Sequence, residues 1–321
     1  MSSSAYYRPS LRFPVTGVRT VAVAALLALP LAWCYALATA AFPAPVNPLV
    51  TAIVSFCLAM LARRAAAKGK VRHPAAMGSA AAAVGLLAWY AQWVAWIVLD
   101  EHFPAGVSTG ASSLGAAIQL FFRPDLVVSA ALDILEQSAT VFGKLATIVL
   151  WTAELLAFVL FPKSSAAERA GLPFCEDTQE WATLVRVPSR FAFIDDPDAV
   201  KRRLEADPAA LPEILGPTID PDSPRFVELT FYRCAGSASF VTLDNLAEMA
   251  PDKVPLPRQA RPANAEYFAQ VDGPVVELLR FPVSDPGRVL ARWAEQERAR
   301  EVRKALARQA AAESADKWTR E

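Results

Sequence analysis

Residues 145–163, LATIVLWTAELLAFVLFPK, decide the fold. Seventeen residues from Leu145 to Phe161 carry one ionisable side chain, Glu154, and then Pro162-Lys163 opens a chain of different composition. A membrane-spanning helix needs about 17–25 mainly apolar residues. A helix suits such a segment because it satisfies every backbone amide internally. Working outward, three more segments meet the same criterion. Val21 to Phe42 is uncharged, about Pro48 to Ala62 is short and uncharged, and Ala75 to Leu99 is the third. Pro43, Pro45 and Pro48 mark a tight turn between the first two. The apolar excess of the 321-residue chain therefore sits in its first 162 residues. The whole chain is 54% hydrophobic and 20% charged, against about 45–50% and about 25% for a soluble domain.

The predicted architecture is a membrane all-α domain of four transmembrane helices followed by a C-terminal α+β domain. The predicted organisation is a tail over 1–20, the membrane domain over 21–162, the α+β domain over 163–284 and a charged helix over 285–321. The predicted spans are about 21–42, 48–62, 75–99 and 145–161.

Loop charge predicts the orientation. The tail carries Arg8, Arg12 and Arg19 without an acid, and the loop between the second and third spans carries Arg63, Arg64, Lys68, Lys70 and Arg72 without an acid. Residues 100–143 carry Asp100, Glu101, Asp125, Asp133 and Glu136 against Arg123. This pattern places both termini in the cytoplasm and the 100–143 loop outside, in the inner (plasma) membrane of a bacterial cell. A rival reading of the first span is a cleavable signal peptide ending at Ala38-Thr39-Ala40. Its apolar run exceeds the usual length of about 7–15 residues for such a leader. Cleavage would leave three spans.

Glu154 is the membrane half's polar candidate. An acid inside a span is expensive and by default marks a site. No spanning Lys or Arg is available to it, so a neutral, hydrogen-bonded acid is expected, with Gln92, Tyr90 or Tyr35 as partner. Trp89, Trp93 and Trp96 share one helix face and read as an interfacial aromatic belt. Gly78, Ser79, Ala80 to Ala83 and Gly85 permit close helix packing. The outer loop holds a predicted amphipathic helix over about 125–140. Asp125, Ser129, Asp133, Glu136 and Thr140 lie on its polar face, and its apolar face is expected on protein. The basic loop Arg63, Arg64, Lys68, Lys70 and Arg72 is a candidate contact for anionic lipid headgroups.

In the second half, strands are predicted at Trp181 to Val187, Phe226 to Cys234 and Ser239 to Leu243, with a weaker one at Val275 to Phe281. Val227, Leu229 and Phe231 share one face. Asp196-Pro197 opens a helix. The four prolines between Pro251 and Pro262 indicate an extended loop, and Asp285-Pro286 opens a last helix to about Ala311 with i, i+3 charge pairs. Cys175 and Cys234 resemble a zinc ribbon reduced to one cysteine per knuckle, too few for a tetrahedral site. Both are expected as reduced thiols in a cytoplasmic domain, with no structural disulfide. Cys34 and Cys57 lie inside spans.

Equal numbers of basic and acidic residues, 32 each, provide no global field for nucleic acid. Two His, both before residue 103, and 13 Gly argue against a His-rich metal centre and phosphate loops. No nucleotide-binding or hydrolase signature is present. No catalytic residue, metal or cofactor is assigned. The expected partners are the lipid bilayer and either a protein partner or a second copy of the chain. The leading expectation is a non-enzymatic scaffold, assembly factor or sensor that binds its partner through the cytoplasmic domain. The alternatives are an oligomeric transporter or proton-handling protein around Glu154, and a membrane-bound enzyme on a lipid or envelope substrate that would use Asp125, Asp133 and Glu136 with Glu154.

Overall fold

The computed structural model describes residues 5–99, 113–137, 140–220, 223–234, 239–248 and 268–281, with Glu295. The chain divides into two compact units, Pro9–Leu172 and Met1–Arg8 with Pro173–Glu321.

The first unit is helical. α1 (Val15–Ala41), α2 (Asn47–Lys68) and α3 (Pro74–Leu99) are followed by the short α4 (Ser113–Phe121) and α5 (Pro124–Gln137), then by α6 (Val141–Gly171). α1, α2, α3 and α6 have mean hydropathies of 2.2, 1.7, 1.6 and 2.0 and are long enough to cross a membrane. These are the four predicted spans. Each packs mainly on two neighbours, in the cyclic order α1, α2, α6, α3. α2 and α6 outrun their predicted ends because hydropathy marks the apolar slab, whereas the Ala-rich sequence beyond it still favours helix. α6 also passes through Pro162. That proline has no N–H to give the Phe158 carbonyl. The same carbonyl lies against Gly85 of α3, where a Cβ would overlap its oxygen. The helix thus spends its unpaired acceptor at the closest approach of its neighbour's backbone. Gly78, two turns earlier on α3, is held against Lys163 and Ala167 of α6.

α5 carries its apolar face inward. Val127 and Ala130 are buried against Trp93, Val94, Ile97 and Leu120, with Ile134 packed on the same cluster. The predicted amphipathic helix therefore rests on protein over its described residues.

The second unit is built on one antiparallel sheet in the order β3 (Thr183–Arg186), β4 (Arg225–Arg233), β5 (Ser239–Glu248), β6 (Phe268–Phe281). A separate hairpin pairs β1 (Phe174–Cys175) with β2 (Glu180–Trp181). α7 (Pro197–Ala206) begins as its sequence indicates, with Asp196 accepting from the Ala199 N–H and proline in the first turn. A short α8 (Leu211–Leu215) follows. Val227, Leu229 and Phe231 of β4 are fully buried and meet Phe191, Leu204, Leu211, Val241 and Leu279. Asn245 of β5 extends the sheet with its side chain. Its Oδ1 accepts from the Ile194 N–H at 3.2 Å and its Nδ2 donates to the Ile194 carbonyl at 2.9 Å.

Residues 5–8 form an outer strip on β6. The Tyr7 N–H donates to the Leu278 carbonyl at 2.9 Å, and the Arg280 N–H donates to the Ala5 carbonyl at 2.7 Å. The segment that a cleavable leader would remove is thus built into the C-terminal sheet. The loop at 250–263 and the charged helix at 285–321 lie outside the described residues.

The expectation of two reduced thiols is overturned. Cys175 and Cys234 are joined in a disulfide, 59 residues apart in sequence with Cα atoms 5.6 Å apart. The β1–β2 hairpin folds back to bring Cys175 beside the end of β4, a juxtaposition invisible in residue spacing. The degenerate zinc-ribbon reading falls with it, because each sulfur is committed to the other.

Candidate functional site

Glu154 lies midway along α6 and reaches Tyr35 of α1 across the bundle. The Tyr35 hydroxyl of α1 donates to Glu154 Oε1 at 2.9 Å. The same phenol shares a 2.9 Å hydrogen bond with Thr51 of α2, and Thr51 donates to the Asn47 carbonyl at 3.0 Å. Phe158, one turn beyond Glu154, packs edge-on to Tyr35 at 5.2 Å. Tyr35 is 2% exposed and Phe158 fully buried, so the acid is anchored at the centre of the bundle.

The network is asymmetric. An ionised Glu154 can only accept, and the single Thr51 proton then serves either Tyr35 or the Asn47 carbonyl. A neutral Glu154 that donates to Tyr35 completes the line from Glu154 through Tyr35 and Thr51 to that carbonyl. The line stops at a backbone acceptor and is no through-path for protons.

On its other side Glu154 lines a cavity of about 190 Å³ with Tyr35, Asn47, Gln92, Trp93, Trp96 and Trp151 among its walls. The cavity lies toward the end of the bundle where α1 stops and α2 starts. Three indoles form a corner. Trp93 meets Trp151 at 4.8 Å and 89°, and Trp96 at 6.3 Å and 71°. Trp93 is 7% exposed and its Nε1 finds no partner. Of the three indoles of the predicted aromatic belt, Trp93 is buried and Trp89 and Trp96 are half-buried, packed on the same cluster as α4 and α5.

Of the predicted polar set, Glu154 and Gln92 share the cavity, while Tyr90 is placed elsewhere. Its hydroxyl lies within hydrogen-bonding distance of the Leu120 and Phe121 carbonyls, at 3.1 and 3.0 Å, and caps α4. Thr51, Asn47 and Trp151 are additions. Each is polar or half-polar in an apolar span, a signal present in the sequence but without an address.

The acidic stripe does not join the cavity. Asp125 is bonded to Arg123 through Oδ1 at 3.0 Å and Oδ2 at 2.7 Å, and that guanidinium holds its carboxyl below the usual range. Asp133 and Glu136 are exposed. Among the described residues no His, Cys, Asp or Glu group is arranged to hold a metal ion. The basic loop is only partly available to headgroups. Arg64, Lys68 and Lys70 are exposed, Arg63 pairs with Glu168 at 3.0 Å, and Arg72 is 4% exposed. Arg72 is removed from the headgroup set because the turn after α2 folds it inward, with its N–H bonded to the Arg12 carbonyl.

Comparison with protein-family models, with curated proteins and with solved structures finds no match to this chain.

Proposed function

We propose that this is an integral protein of the bacterial inner (plasma) membrane, with both termini cytoplasmic, that serves as a scaffold, assembly factor or sensor and binds a protein partner through its C-terminal unit. Four apolar helices support the membrane placement. The observation that carries the partner reading is an asymmetry of the sheet. The β6 edge is edged by residues 5–8, whereas among the described residues the outer edge of β3 pairs with no strand. An open edge is a template for an added strand. The Val187 N–H is directed at β4, so by alternation the N–H groups of Leu184 and Arg186 face outward. Leu184 is 48% exposed.

The test is capture of a stoichiometric partner from native membranes with tagged full-length chain, with a chain ending at Leu172 and with Leu184→Pro. Proline at 184 removes one outward N–H and leaves the β4 ladder intact. Loss of the same partner in both variants is expected. Retention by the truncated chain overturns the reading.

A second reading, an oligomeric transporter or proton-handling protein, is favoured by Glu154 itself. It expects Glu154→Gln to abolish activity while insertion persists. The enzyme reading loses support because Asp125, Asp133 and Glu136 do not line the Glu154 cavity.

Loop charge supports cytoplasmic termini, and the disulfide is the feature that pulls the other way. In the cytoplasm such a bond is characteristically transient or redox-sensing.

A further inference from the structure

We propose that the Glu154 cavity is a binding site for a small organic cation of the quaternary or alkylated ammonium class. The inference stands independently of the partner reading, because it concerns the helical unit alone.

A carboxyl group is held in place by Tyr35 at 2.9 Å and lines a cavity to which, among the described residues, no Lys or Arg contributes. The missing counter-charge has a defined space. The cavity is about 190 Å³, and one of roughly 150 Å³ accepts a benzene-sized molecule. Tetramethylammonium is of that size.

The walls select the kind of cation. A metal ion asks for several oxygen ligands, usually more than one of them charged, and among the described residues this wall carries one carboxylate, with neutral oxygens from Tyr35, Thr39, Asn47 and Gln92 beside the indoles. Trp93 stands at 89° to Trp151 and at 71° to Trp96, and all three indoles line the cavity. Aromatic faces attract cations, Trp most strongly, and such cages recognise quaternary ammonium groups, which carry no N–H to donate. Gln92 and Asn47 add polar atoms to the same wall. Asn47 Oδ1 is buried without a partner among the described residues and suits a hydroxyl such as that of choline.

The chemistry has two sources, a free solute and the headgroup of a choline lipid. Full-length protein in phosphatidylglycerol nanodiscs is titrated with tetramethylammonium, with choline and with 3,3-dimethylbutan-1-ol, the uncharged isostere of choline. Binding is read by calorimetry and tryptophan fluorescence. Both cations are expected to bind, and the isostere at least about tenfold more weakly. Glu154→Gln should weaken cation binding by at least about tenfold, and Trp151→Leu should weaken it more than Trp151→Phe. In phosphatidylcholine nanodiscs, a weakened tetramethylammonium titration identifies the headgroup as occupant, and an unchanged one identifies the free solute. Both results support an ammonium site. Equal affinity for choline and its isostere, or absence of cation binding to wild-type protein in phosphatidylglycerol, overturns the proposal. Because that comparison uses wild-type protein, it does not depend on the folding of any variant.

Discussion

The two units place their large side chains on opposite sides. In the helical unit many large aliphatic and aromatic residues face out. Leu26 is 67% exposed and Phe56 61%, while one of its interior clusters is built almost wholly of alanine, with Ala24, Ala62, Ala65, Ala66, Ala81, Ala166 and Ala170. In the sheet unit Phe191, Val227, Leu229 and Phe231 are fully buried. The solvent explains the inversion. Lipid tails are as apolar as leucine and give helices no hydrophobic reason to associate, so small residues and close backbones do the packing. Water drives large apolar surface inward in proportion to its area. The same residue type therefore carries different weight in the two units.

The largest expected effect tests that inversion directly. Phe231→Ala should destabilise the sheet unit by about 3–5 kcal/mol. Leu26→Ala, which also removes a large apolar side chain, should change stability by less than about 0.5 kcal/mol. Pulse proteolysis of full-length protein in nanodiscs across a urea series measures both. Comparable losses would break the contrast.

The converse substitution belongs to the helical unit. Gly85→Ala adds one methyl group where the Phe158 carbonyl already sits. A cost at or above the usual overpacking range of about 1–3 kcal/mol is expected, seen as a lower melting temperature by size exclusion in detergent. Pro162→Ala restores the donor for that carbonyl and should partly rescue Gly85→Ala. Additive effects would show that the carbonyl and the glycine are not coupled.

The legibility of the chain in its sequence follows the same division. Spans were legible because apolar runs are a one-dimensional property, and β4 was legible because Val227, Leu229 and Phe231 alternate. What could not be read were pairings set by the fold. Tyr35 is one of three partners the sequence offers Glu154, and it reaches the acid across the bundle, whereas Tyr90, on the adjacent α3, turns to the Leu120 and Phe121 carbonyls. Nothing in the spacing of Trp93 and Trp96 announces that they will pack in one cluster with α4 and α5. Cys175 meets Cys234 through a hairpin between residues 174 and 181, and a cytoplasmic location by itself favours free thiols. The tail strip at residues 5–8 carries only Tyr6 and Tyr7 as an apolar signal, too short for a strand assignment.

The disulfide gives the next effect in size and sharpens the question of sidedness. Closing a loop of this length contributes about 2–4 kcal/mol through the unfolded chain, so Cys175→Ser should cost the sheet unit that amount in the urea series. In intact cells, acid trapping followed by maleimide mass-tagging reads the state of the pair. With cytoplasmic termini, the oxidised fraction should rise with diamide and fall with dithiothreitol. A pair fully oxidised in untreated cells places the sheet unit in an oxidising compartment and reverses the orientation drawn from loop charge.

The smallest effect concerns the tail. The Tyr6 hydroxyl donates to Glu205 of α7 at 2.5 Å. Burial first, and the neighbouring Glu205 carboxylate second, push the phenol above its ordinary value. The folded protein therefore holds this proton more tightly than the unfolded chain does. The resulting stabilisation is complete below the unfolded value of about 10 and is lost as the pH rises from there through the higher folded value. Tyr6 is partly exposed, so solvent screening keeps the contribution at or below about 1 kcal/mol. Tyr6→Phe keeps the ring and removes the donor. At neutral pH it should speed chymotryptic cleavage after Tyr7 up to about fivefold, since cleavage needs the Tyr7 N–H to leave the Leu278 carbonyl. In wild-type protein, tyrosinate absorbance attributable to Tyr6, taken as the difference from Tyr6→Phe, should emerge only above pH 10. Unchanged cleavage would mean that the backbone bonds to β6 hold the tail alone, leaving that edge of the sheet closed without help from α7.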